Sequence, residues 1–76
     1  MRSEAAKKLS EEALSEREIE VLGHVAAGNR NRDIAGKLSI AEETVKVHLR
    51  HILDKLGAQG RTQAVTIAVR RGIIHL

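Results

Sequence analysis

Seventy-six residues make one domain at most, and a chain this short buries only about 60% of the surface it exposes when unfolded. With no Phe, Tyr, Trp or Cys, the core must come from Leu, Ile, Val and Ala; base stacking on aromatic platforms, disulfides and thiolate metal sites are all excluded. The net charge of +3 conceals a split, with seven Lys/Arg against nine Asp/Glu in residues 1–43 and six against one in residues 44–76, which points to a polyanion at one face.

Residues 1–13 are rich in Lys, Glu, Ala and Ser, with Leu9 the one large apolar residue beyond the initiator. They read as a linker or frayed helix, ahead of a folded domain over 14–76. Ser15 and Glu18 match the S-x-x-E capping box, so a first helix is expected from Glu16 to Ala27, with Ile19, Leu22, Val25 and Ala26 in period and Gly28 ending it. A second helix is expected from about Asn31 to Leu38, capped by Asn29 or Asn31, with Ile34, Ala35 and Leu38 inward. Ala35 is small enough to let the next helix cross closely, and Ser39, Ile40 and Ala41 leave room only for a tight turn. The third helix starts at a second box, Ser39 with Glu42, or one turn later without a good cap, because Ala41 cannot accept a hydrogen bond. It ends before Gly57, and 57–60 is a glycine-bounded turn. A fourth helix, Arg61 to Arg71, is expected to end at Gly72, with Ile73, Ile74 and Leu76 folding back on the core. The expectation is an all-α four-helix bundle with a central helix-turn-helix.

On the third helix, Val45, Leu49, Ile52 and Leu56 recur at steps of four, three and four and form the buried stripe. Glu43, Lys46, Val47, Arg50 and Asp54 fall on the opposite side. A valine flanked one turn apart by two long cationic donors suits the base edges of a DNA major groove: Lys46 and Arg50 can donate to guanine O6 and N7, and Val47 can pack on a thymine methyl. Asp54 lies toward the far end and is expected to pair with Arg50 at i+4. On the fourth helix, Ala64, Ile67 and Ala68 face one way, while Val65 and Val69 run toward Thr62 and Thr66. That surplus apolar face suggests a second contact.

Leu14 to Leu22, Gly28, Asn31-Arg-Asp-Ile-Ala35, Leu38, Ile40, Thr44-Val-Lys-Val-His48, Lys55-Leu-Gly57 and Arg61-Thr-Gln-Ala-Val65, taken in order, closely resemble the LuxR-type helix-turn-helix domain. They are most similar to the C-terminal effector domain of NarL/FixJ-type two-component response regulators. The resemblance covers about residues 14–74. Region 4 of bacterial sigma factors shares the first three helices and the Ile-Ala and Thr-Val elements, but the Lys-Leu-Gly turn and Arg61 to Val65 fit the LuxR type better. Arg30 and Ala41 depart from the family pattern of small polar helix caps, and Gly60 stands where the family often has Ser.

The resemblance implies that the third helix, about 42–56, is the recognition helix, that Lys46, Val47 and Arg50 meet bases, and that the fourth helix is the dimer contact. Thr44, Asn31, Arg32, Arg30, His51 and Lys55 flank the reading face and are candidates for phosphate contacts, aided by helix N-termini. A homodimer through Thr62, Val65, Thr66 and Val69 would set two reading helices about 34 Å apart on successive major grooves. The expected function is sequence-specific double-stranded DNA binding by a bacterial transcription regulator, controlled by an N-terminal receiver or sensor domain outside this chain, with RNA polymerase as a further partner. A sigma-region-4-like promoter-binding domain, or a helical protein-interaction module that binds no DNA, are the alternatives.

No enzyme activity, cofactor or metal is expected. His48 and His51 stand at i and i+3 without a third ligand, the Ser, His and Asp residues form no catalytic group, and 57–60 follows no strand and lacks the P-loop lysine pattern. No apolar run approaches the roughly 18 residues of a membrane span and the N-terminus lacks a signal-peptide core, so a cytoplasmic chain without a membrane partner is expected.

Overall fold

The computed structural model describes residues 13–76. The expected linker therefore lies, apart from Ala13, outside the described residues. Four helices follow: α1 (Glu16–Ala26), α2 (Asn31–Leu38), α3 (Glu42–Leu56) and α4 (Arg61–Arg70), with no strand among the described residues. The sequence placed the ends of α1 and α4 one residue later; Ala27 and Arg71 are C-caps.

The helix starts differ in how far they satisfy the unpaired N–H groups of the first turn. At α1 the Ser15–Glu18 box is complete: Glu18 N–H donates to Ser15 Oγ at 3.1 Å, and Ser15 N–H to Glu18 Oε1 at 2.8 Å. The cap of α2 is neither Asn29 nor Asn31 but Arg30. A guanidinium offers no acceptor, so only the return half of a box forms, from Arg30 N–H to Asp33 Oδ2 at 3.2 Å. Asn29 instead accepts from Lys37 Nζ at 3.1 Å. Of the two starts open for α3, the uncapped one is observed, with Ala41 as N-cap. Ser39 is the C-cap of α2, at φ 55° in the left-handed region, and cannot also serve as an extended N-cap.

The turns are tight because all four helices end on the same backbone bond, an N–H donating five residues back. The pairs are Asn29 to His24, Ile40 to Ala35, Ala58 to Leu53 and Ile73 to Ala68, at 2.8 to 3.0 Å. Such closure satisfies an orphan carbonyl and needs a left-handed residue. Gly57 supplies it between α3 and α4 at φ 66°, a conformation that costs an L residue about 1 to 2 kcal/mol; within the helix-turn-helix, Ser39 bears that cost.

The core is built from Val21, Leu22, Ile34, Ala35, Val45, Leu49, Ile52, Leu56, Ala64, Ala68 and Ile74. Helix α3 runs through its centre, with its stripe wholly buried. Two expectations are corrected here. The inner face of α1 is Glu18, Val21 and Leu22, with Ile19, Val25 and Ala26 only partly buried. In the tail, Ile74 is buried but Leu76 is 86% exposed. The interior is thus all aliphatic apart from one buried carboxylate.

Candidate nucleic-acid interface

That carboxylate ties the last turn of α3 to the start of α1. Glu18 is 4% exposed, and its Oε1 accepts from Lys55 Nζ at 2.7 Å as well as from the Ser15 N–H. Lys55 Nζ also donates to the Ala13 carbonyl at 3.2 Å. Burial pushes the Glu18 carboxyl up, but the hydrogen bonds from Lys55 and the Ser15 backbone outweigh it and hold the group below its ordinary value. Lys55 is therefore engaged at the start of α1 and does not join the exposed side of α3. The capping-box pattern revealed Glu18; nothing local in the sequence revealed its partner 37 residues away.

With its stripe buried, α3 projects Glu43, Thr44, Lys46, Val47, Arg50, His51 and Asp54 into solvent. Val47 is 41% exposed. Lys46 Nζ pairs with Glu43 Oε1 at 3.1 Å, an exposed i,i+3 pair of the sort worth a few tenths of a kcal/mol. The expected Arg50–Asp54 ion pair is not among those formed between described residues, which are Arg17–Glu20, Glu43–Lys46 and Glu18–Lys55. His48 is half-buried, and among the described residues no cluster of His, Asp or Glu could hold a metal ion.

Helix α2 presents Arg30 and Arg32 in the open, while Asn31 is half-buried and its Oδ1 accepts from Arg61 Nη2, joining the starts of α2 and α4. On α4, Thr62, Thr66 and Val69 are exposed and Val65 is half-buried, following each other at the three-, one- and three-residue steps of a single side. Thr62, Val65 and Thr66 line an open cavity of about 240 Å³ with Val25, Ala26 and Arg61. No described helix is long and apolar enough to cross a membrane.

The arrangement is that of a helix-turn-helix: α2 packs against α3 across the Ser39 turn, and α3 offers an exposed face that carries Lys46 and Arg50. Comparisons with known proteins agree. The family model described as bacterial regulatory proteins, luxR family (GerE), matches residues 12–68. The transcriptional regulatory protein YxjL of Bacillus subtilis is 54% identical over 64 residues, 84% of this chain and 29% of that protein. LiaR of the same organism is 37% identical over 75 residues, 99% of this chain and 36% of that protein. The response regulator VraR of Staphylococcus aureus is 46% identical over 64 residues, 84% and 31% respectively. The crystal structure of ChrA, a response regulator in a heme-sensing two-component system, superposes with a TM-score of 0.79 at 52% identity, covering 82% of this chain and 31% of that one. The chain spans roughly a third of the length of these relatives. It belongs to the luxR family of bacterial regulatory proteins, a family of DNA-binding transcription regulators and not an enzyme family.

Proposed function

We propose that this domain reads duplex DNA sequence by laying α3 in the major groove, with Lys46 and Arg50 donating to guanine acceptors and Val47 packing on a thymine methyl. The observation that carries this is Val47, 41% exposed between Lys46 and Arg50 on a helix whose other side is sealed in the core. A folded helix gains nothing from a valine there, whereas a thymine methyl gives it a partner. Thr44, Arg30, Arg32 and His51, all exposed, are assigned to phosphates, which set register without carrying sequence. Asn31 belongs with them through its place at the start of α2, where backbone N–H groups favour an anion.

We infer further that two copies pair through Thr62, Val65, Thr66 and Val69 and place two recognition helices on the half-sites of a two-fold symmetric operator. Support comes from the apolar content of this exposed side of α4, where Val69 keeps 36% of its surface in solvent. In the parent protein a receiver or sensor domain controls that pairing, and the bound dimer regulates by acting where RNA polymerase binds, in the cytoplasm. The length of the relatives beyond the matched segment supports a second domain. No catalytic step is assigned to any residue.

The test is duplex binding by this chain across a salt series. Each neutralised phosphate adds about −0.9 to the slope of log K against log salt, so affinity should collapse as salt rises. A flat response, or no binding to any duplex in a random pool, would instead mark the α3 face as a protein-docking surface.

A further inference from the structure

The Glu43–Lys46 pair has no role in the reading above, yet it stands in the middle of the proposed face. Glu43 is the second residue of α3, in the N-terminal part of a recognition helix that meets base edges. Its side chain is 82% exposed and that of Lys46 51%. Helical phase sets Glu43 in one row with Val47 and Arg50, at spacings of four and three. A carboxylate directed at DNA is repelled by phosphates unless a base donates to it, and the major-groove donors are cytosine N4 and adenine N6.

We propose that Glu43 and Lys46 act as one unit that reads a single G·C base pair in one orientation. This rests on the duplex reading proposed above. Lys46 Nζ and Glu43 Oε1 lie 3.1 Å apart, close to the roughly 2.9 to 3.0 Å between a hydrogen-bonded donor and acceptor, which is the spacing of cytosine N4 and guanine O6 within a base pair. The ion pair can therefore stay intact and lie edge to edge on the base pair, Lys46 donating to guanine O6 and N7 while Glu43 accepts the second N4 hydrogen of cytosine. Lys46 alone donates equally to any purine N7 or base carbonyl oxygen; Glu43 adds the demand for a neighbouring donor. T·A offers an acceptor and a donor in the same order, but adenine N7 then lies beside the carboxylate and repels it, and thymine gives Lys46 one acceptor rather than two. Reversing the pair to C·G sets donor on donor and acceptor on acceptor.

The test uses the full chain and a duplex selected from a random pool, each base pair then reversed in turn. Wild type should bind about tenfold more weakly when one particular G·C is reversed. Glu43→Ala should shrink that penalty to about threefold or less, while strengthening binding to arbitrary duplexes by removing a negative charge. Glu43→Gln should admit adenine at the cytosine position, because an amide both donates and accepts. Glu43 is exposed and its pair with Lys46 is worth only a few tenths of a kcal/mol, so both variants should keep their helicity and lose at most a few degrees in melting temperature. If Glu43→Ala keeps the full reversal penalty at every base pair, the inference is overturned while the DNA reading stands. If wild type enriches no duplex, the DNA reading itself is overturned, and this inference with it.

Discussion

Lys55 Nζ lies 2.7 Å from Glu18 Oε1, so the last turn of the recognition helix is tied to the first turn of α1. The contact fixes the direction of α3 at the end opposite the helix-turn-helix, and it places the ammonium near the negative end of the α3 dipole. Removing one partner of a buried pair leaves an uncompensated charge and costs several kcal/mol. Because the Lys55 side chain keeps 27% exposure, Lys55→Ala is expected to lose about 3 kcal/mol, the lower end of that range, measured by urea denaturation.

The same pair makes stability depend on acid. Glu18 is held below its ordinary value of 4.5 in the fold, so the stability it contributes is fully present above that value and drains away as pH falls through the lower folded value. Melting temperature should therefore fall more steeply as pH drops through and below 4.5 in wild type than in Glu18→Gln, which has no proton to take up there. Parallel curves would contradict the assignment.

Ala41 caps α3 with extended backbone and no side-chain acceptor. Ala41→Ser supplies one for the free N–H groups of the first turn and should stabilise the domain by about 1 kcal/mol, raising the melting temperature by roughly 4 to 8 °C for a domain of this size.

This cap also shows where sequence reading stops. Ser15-x-x-Glu18 and Ser39-x-x-Glu42 are the same local pattern, and only the first forms a box. Ile40 N–H must close α2 on Ala35 O, and that closure turns Ser39 left-handed, away from the extended backbone an N-cap needs. Periodicity sufficed for α3, where Val45, Leu49, Ile52 and Leu56 allow one phase and so locate Val47 in solvent. On α1 it misled, because Glu18 occupies a core position that a carboxylate holds only with a distant cation. The exposed side of α3 was legible for the same reason as its buried side; the removal of Lys55 from it depended on a tertiary contact.

Base and phosphate contacts should separate on mutation. Lys46→Ala and Val47→Ala are expected to lose about 1 to 3 kcal/mol of discrimination between the selected duplex and a mismatched one, while Arg32→Ala weakens all duplexes alike and lowers the salt slope by about 1. Competition binding of each variant to both duplexes checks the division; equal losses for all three would refute it.

Pairing through α4 predicts a different signature. Val69→Glu sets like charges against each other across a two-fold contact, so it should abolish cooperative binding to a two-half-site duplex and leave affinity for a single half-site unchanged. Mobility shifts on full-site and half-site duplexes distinguish this from a loss of folding.

The most direct measurement is an isotope-filtered NMR experiment on the labelled chain bound to its selected duplex, observing the Val47 methyl groups. Contacts from those methyls to thymine methyl or cytosine H5 protons, which line the major groove, are predicted. Val47 methyls that see no DNA proton while residues of α1 or α4 do would contradict the account.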